Sequence, residues 1–222
     1  MLINADFSRP AIVAADQYHW VASPQSGVER VMLDRVGAEQ ARATSIVRYA
    51  PDSWFPRHPH SGGEEILVLS GTFSEDDAHY PAGWYLRNPP GSNHQPSSKE
   101  GATIFVKLQQ MQPQERHAVR IDTRAESSWH NENGRHICSL FSDDVEQTSL
   151  QRLELDEALF TAPVSGAELL VLSGNVLADG ESYQRGSWMR LPAGQYPGIV
   201  AGSHGTTVYL KIARLGKTPI EA

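Results

Sequence analysis

The feature that most constrains the fold is that the chain repeats itself. Glu65-Ile-Leu-Val-Leu-Ser-Gly71 returns as Glu168-Leu-Leu-Val-Leu-Ser-Gly174, an offset of 103 residues (168 minus 65). Gly83-Trp84 matches Gly186-Ser187-Trp188 loosely, and Pro89-Pro-Gly91 matches Pro192-Ala-Gly194. Gly101 through Lys107-Leu108 matches Gly205 through Lys211-Ile212. Weaker echoes join Thr44-Ser45 to Thr148-Ser149 and Gly27 to Gly134. Chance is a poor account of so many glycines and prolines in register, so the chain is read as two copies of one domain. The expected extents are residues 1–115 and 116–222, joined near the polar stretch Gln109–Arg120.

Each copy is expected to be all-β. The apolar runs Ile66–Leu69, Thr103–Leu108, Leu169–Leu172 and Thr207–Ile212 are strand-sized, rich in β-branched residues and leucine, and bounded by turn residues. No segment carries a long helical period, which leaves a sandwich or barrel. Gly71 and Gly174 are expected in hairpin turns that need a positive φ. Pro89-Pro-Gly91 and Pro192-Ala-Gly194 are expected to form tight turns between strands.

The first copy holds a group of residues the second lacks. His58 and His60 are separated by one residue, so a strand would present both on one face. The Ser61-Gly62-Gly63 break lets the chain bend and return the carboxylate of Glu64 toward the same point. His94 must come from another strand, through Asn88-Pro89-Pro90-Gly91. Three imidazoles and a carboxylate suit one divalent ion: zinc, iron(II), nickel, manganese or copper. Zinc with four protein ligands would be closed and tetrahedral, whereas iron(II) would keep positions for water, oxygen or substrate. In the second copy the matching positions fall near Thr161, Pro163, Ala167 and Pro197, and no histidine lies between His136 and His204. That copy is expected to be metal-free.

Composition excludes several function classes. The 222 residues carry a formal net charge of −7, and no cluster of lysines and arginines offers a surface for phosphates. No apolar run is long enough to span a membrane. The first ten residues, with Asn4, Asp6 and Arg9, lack the basic-then-apolar order of a signal peptide. The single cysteine, Cys138, cannot form an internal disulfide, so a cytoplasmic location is expected. Within Ile137-Cys138-Ser139-Leu140 it reads as a buried, inert thiol.

These residues resemble the cupin superfamily, double-stranded β-helix barrels of the jelly-roll type. Its first motif, G-x5-H-x-H-x3-4-E-x6-G, is matched by His58, His60, Glu64 and Gly71, with Asp52 where the leading glycine stands. Its second, G-x5-P-x-G-x2-H-x3-N, is matched by Gly83, Pro89, Gly91 and His94, with Ser98 at the final asparagine. The segments HPHSGGEEILVLSG, YPAGWYLRNPPGSNHQP and ATIFVKL are most similar to the cupin-like domain of ChrR-type anti-sigma factors. The resemblance implies two tandem cupin barrels, a metal-binding one (1–115) and a degenerate one (116–222). It also implies zinc on His58, His60, Glu64 and His94, and a homodimer. Those anti-sigma factors grip a sigma factor through a separate helical zinc-binding domain with paired cysteines. This chain has one cysteine and no such segment, which stands against a sigma-factor partner.

Two functions follow as expectations. The first is a regulator or sensor that responds to a ligand or to oxidative stress. The second is a metal-dependent dioxygenase or related enzyme acting on a small molecule. Neither the ligand nor a general acid or base can be read from the sequence. Trp54, Phe55, Tyr85 and Phe105 are equally readable as pocket walls and as ordinary core. Glu65 is expected to face away from the ion. His79, in the acidic turn that begins at Glu75, is expected in solvent, and His19, His117, His130, His136 and His204 have no ligand spacing.

Overall fold

The structure is a computed structural model, and it describes residues 1–38 and 40–215. Every extended element pairs antiparallel, and the only helices among the described residues are two single 3-10 turns, Ala15–Gln17 and Glu126–Ser128. The fold is all-β, as the strand-sized apolar runs require.

The chain divides into two units. Among the described residues, the first comprises Met1–Ala5 and His19–Arg124; the second comprises Asp6–Tyr18 and residues 125–215. The sequence-based join at 115/116 therefore falls inside the first unit. Strand pairing is the reason: Val119–Asp122 closes onto Trp84–Asn88, carrying the first unit past residue 115. The second unit takes its matching strand from the N-terminus, where Ala11–Val13 pairs with Trp188–Leu191. Val119 opposite Arg87 and Ala11 opposite Arg190 occupy the same place in the two repeats.

In the first unit the main sheet runs through Val28–Val36, Arg42–Tyr49, Ala102–Leu108, Glu64–Glu75 and Trp84–Asn88. Residues directly opposite across neighbouring strands share a face. The row Met32–Ser45–Val106–Ile66–Leu86 looks inward. Ile66, Val68, Phe73, Leu86, Ile104 and Val106 form the core there, each at most 5% exposed. Burying such side chains stabilises the fold by about 1.5–3 kcal/mol each. The opposite face carries Glu65, Leu67, Tyr85, Phe105 and Lys107, so Glu65 does point away from the histidines, with its carboxylate 3.1 Å from Arg87.

Gly71 and Gly174 lie inside long strands, Glu64–Glu75 and Ala167–Ala178, and not in the hairpin turns expected for them. Each is the last residue of its strand before a new partner joins: Gly71 stands opposite Ala102 and Thr72 opposite Pro81, and Gly174 stands opposite Thr206 and Asn175 opposite Gln184. Gly71 has φ +67°, and a Cβ there would overlap the carbonyl oxygen of Gly101; Gly174 repeats this against Gly205 with φ +69°. Both copies keep glycine at these points because only glycine fits a left-handed conformation pressed against neighbouring backbone. Gly71→Ala is expected to destabilise the protein by roughly 2 kcal/mol or more, seen as a lower urea midpoint with an unchanged slope.

Candidate metal centre

The site grows out of two short strands. His58–His60 pairs antiparallel with Ser92–His94, placing His94 opposite His58 and Ser92 opposite His60. The two-residue period of a strand puts His58 and His60 on one face, and direct pairing puts His94 on that face too. Pro89-Pro90-Gly91 makes the expected turn before it: the Ser92 amide donates to the Pro89 carbonyl at 3.1 Å, and Gly91 has φ +85°. Asp52, standing at the leading-glycine position of the first motif, also takes a positive φ (58°), a conformation aspartate tolerates better than most residues.

Glu64 opens the long strand on the inward row Leu108–Glu64–Asn88. The glycines before it have separate reasons. A Cβ on Gly62 would strike Gln109, and Gly63 combines φ +75° with a side-chain position already filled by Met111. Glycine here is what brings Glu64 back beneath the histidines.

The ligand atoms of His58, His60 and His94 lie within 4.8 Å of one another. His60 Nε2 and His94 Nε2 are 2.9 Å apart, and Glu64 Oε2 is 3.4 Å from each. The other ring nitrogens of His58 and His94 are engaged elsewhere. His58 Nδ1 donates to the Pro56 carbonyl at 2.8 Å, and His94 Nδ1 donates to Glu75 Oε2 at 2.8 Å. These partners assign the tautomers of His58 and His94 and leave the Nε2 lone pair of each free, the arrangement of metal-binding histidines.

Electrostatics differ across the group. Burial lowers the pKa of His60. Burial also pulls His94 down, but its hydrogen bond to Glu75 and the charge of Glu64 more than offset this, and its pKa is raised. Burial would raise Glu75, yet the His94 hydrogen bond and the Arg120 charge bring its carboxyl down to about 2.

Glu75 is what sequence reasoning missed. It was grouped with a solvated acidic turn, but it is only 7% exposed and belongs to the strand. The Arg120 guanidinium grips its other oxygen and also donates to Asn88 Oδ1 at 2.6 Å. Asn88 Nδ2 in turn donates to Glu64 and Glu75, each at 3.2 Å. One signal was present in the sequence: the second copy replaces Glu64, Glu75 and Asn88 by Ala167, Ala178 and Leu191 at the repeat offset. In the second unit these residues join a closed apolar core with Leu169, Met189 and Leu210. Among the described residues, the only converging group of three metal-ligating side chains is the one in the first unit.

His58, His60 and Glu64 line a cavity of about 400 Å³ whose walls include Val47, Phe55, Ile104 and Leu108. Of the four aromatics considered as walls, Phe55 lines it. Tyr85 and Phe105 lie on the other face of the sheet, and Trp54 is 49% exposed. His19, His79, His117, His130, His136 and His204 stand outside the cluster. The donor set fits a divalent ion: three ring nitrogens converge, the opposite nitrogens of His58 and His94 are fixed, and the Glu64 carboxylate adjoins His60 and His94. Such an ion supplies Lewis acidity and coordination positions when bound.

Cys138 is fully buried, and burial pushes its thiol up to about 11. The reactive thiolate is therefore scarce at neutral pH. Native protein should resist maleimide labelling at pH 7, and labelling should appear only with unfolding in denaturant.

Comparison with known proteins agrees with this architecture. Residues 8–112 match the ChrR Cupin-like domain. No curated protein matches the sequence. Among solved structures, a candidate dioxygenase from Nostoc punctiforme superposes with a TM-score of 0.75 at 13% identity, covering 95% of this chain and 85% of that one. The bacterial pirin YhhW of Escherichia coli, solved in complex with nickel(II), gives 0.67 at 14% identity, covering 93% and 100%. A cupin 2 conserved barrel protein from Leptotrichia buccalis gives 0.62 at 13% identity, covering 96% and 100%. At such identities these likenesses concern the fold alone. With the jelly-roll strands, the two spaced motifs and the converging histidines, they show a cupin fold, and residues 8–112 carry the likeness to the ChrR Cupin-like domain.

Proposed function

We propose that the first unit binds one divalent metal ion through His58, His60, Glu64 and His94 and presents it to a small organic molecule held in the adjoining cavity. The observation that carries this is the cavity itself. A purely structural zinc site is closed on all sides by protein, whereas here two histidines and Glu64 form part of the wall of a roughly 400 Å³ space. That volume lies within the range of about 300–1,000 Å³ usual for small-molecule sites.

The chain's own residues have clear tasks in this reading. Glu75 and Pro56 hold two imidazoles in the metal-binding tautomer. Asn88 holds Glu64 in place. Phe55, Val47 and Leu108 exclude water and hold the apolar body of the ligand. Oxygen chemistry on the ligand, with iron(II) as the working ion, is the reading this open site supports best, and a dioxygenase-like activity is proposed on that ground. Zinc, nickel and manganese suit the same donors.

The match of residues 8–112 to the ChrR Cupin-like domain supports a second reading, a regulator whose metal site senses a ligand or an oxidant. One experiment separates the two. Iron(II)-loaded protein and its His94→Ala variant are screened for oxygen uptake with a panel of small carbonyl and aromatic compounds. Compound-dependent uptake in the wild type alone supports the enzyme. Ligand binding with no uptake across the panel turns the assignment to the regulator.

A further inference from the structure

The cavity beside the histidines has one feature that the metal does not explain. Arg30 is the only lysine or arginine among the described residues that line it. It stands on the row Arg30–Val47–Ile104–Val68. Direct cross-strand pairing puts its side chain on the same inward face as Ile104 and Val68, which belong to the core. A guanidinium on that face is costly unless something compensates its charge.

Three other buried or half-buried arginines of this unit meet carboxylates: Arg42 meets Asp34 at 3.5 Å, Arg87 meets Glu115 at 2.6 Å, and Arg120 meets Glu75; Arg35, away from the cavity lining, donates to the Ala38 carbonyl. Arg30 donates to the Ser23 hydroxyl at 3.3 Å, and among the described residues no carboxylate pairs with it. Burial and the neighbouring Arg35 both lower its pKa, as for a cation awaiting a counter-charge. The internal repeat provides a control. The corresponding row of the second unit is Ile137–Gln151–Val208–Val171. The unit with Ala167 in place of Glu64 and Leu191 in place of Asn88 thus has an isoleucine where the first unit has Arg30.

We propose that Arg30 anchors a carboxylate of the cavity's ligand, so that the natural ligand is an organic acid with a metal-coordinating oxygen group at one end, an apolar middle and an anionic far end. This rests on the reading of the cluster as a ligand-accessible metal site. The walls between the two ends, Val47, Ile104 and Leu108, match the apolar middle, and the fork of a guanidinium suits bidentate capture of a carboxylate.

The test uses cobalt(II)-loaded full-length protein, whose visible absorption reports ligands at the metal. The probes are 2-oxoglutarate and its longer 2-oxo diacid homologues, each beside the 2-oxo monoacid of the same chain length. At least one diacid should bind about tenfold or more tighter than its monoacid, the scale of a charge-assisted hydrogen-bonded pair. Arg30→Gln should abolish that preference while cobalt stoichiometry stays at the wild-type value, and Arg30→Lys should restore part of it. Equal affinity of diacids and monoacids, binding of neither, or a preference that survives Arg30→Gln would each overturn the anchor. Failure of the wild type to take up cobalt would overturn the metal site beneath it.

Discussion

Replacing His94 with alanine is expected to abolish stoichiometric metal binding and the thermal stabilisation that comes with it. His94 faces both partners of the cluster: its Nε2 is 2.9 Å from His60 Nε2 and 3.4 Å from Glu64 Oε2. It comes from a different strand than the other ligands, so the ion would tie Ser92–His94 to His58–His60 and to the start of the long strand. A ligand that binds only the folded state stabilises it in proportion to the logarithm of its excess over Kd, about 4 kcal/mol at a thousandfold excess. Differential scanning calorimetry with and without added metal should show that shift in the wild type and lose it in His94→Ala. Without metal the variant should already unfold below the apo wild type, because it also removes the Nδ1–H that Glu75 accepts; the metal-dependent shift is the readout that reports on the site.

Glu75→Gln is the second variant with a large expected effect, and it concerns a residue that touches no metal. Glu75 receives the Nδ1 proton of His94 and is itself held by Arg120. Partners of this kind orient the imidazole and raise its basicity, and their loss typically lowers metal affinity about 10–100-fold. Glutamine keeps the size of the side chain and an acceptor oxygen, but the charge is gone and Arg120 loses its counter-ion. A competition titration with a chromophoric chelator should show the weaker affinity. The variant's pH behaviour separates this role from simple packing. The Glu75 carboxyl is lowered from 4.5 to about 2 in the folded protein. Its contribution to stability is therefore complete above pH 4.5 and is lost as the pH falls through that window toward 2. Glu75→Gln should lack that part of the acid destabilisation. The raised pKa of His94 works in the opposite sense. It favours the proton that competes with the metal, so wild-type affinity should fall as the pH drops through the histidine range. With Glu75 neutralised, His94 binds that proton less tightly, and the fall should move to lower pH.

Much of this was legible in the chain because strands write their pattern locally. Alternation placed His58 and His60 together, a Pro-Pro-Gly turn delivered His94, and two glycines returned Glu64. The structure gathers the three histidines and sets Glu64 3.4 Å from His60 and His94. What was not legible depends on pairing between distant segments. Ala11–Val13 carries no local sign that its partner is Trp188–Leu191. Glu75 followed by Asp76 and Asp77 has the composition of a solvated turn; only the Arg120 strand, closing over it from beyond the expected boundary, makes it a buried partner of His94. Gly71 was assigned a positive φ correctly and a hairpin wrongly. Composition records that a left-handed residue is needed, while its place inside a twelve-residue strand follows from packing against Gly101.

The most direct test of the central claim is elemental analysis of the protein purified without chelator or metal-affinity tag and then reconstituted with zinc, iron(II), nickel or manganese, beside a His58→Ala/His94→Ala control. The account predicts about one divalent ion per chain in the wild type and next to none in the control. No retained metal after reconstitution, or equal metal in both proteins, would contradict it.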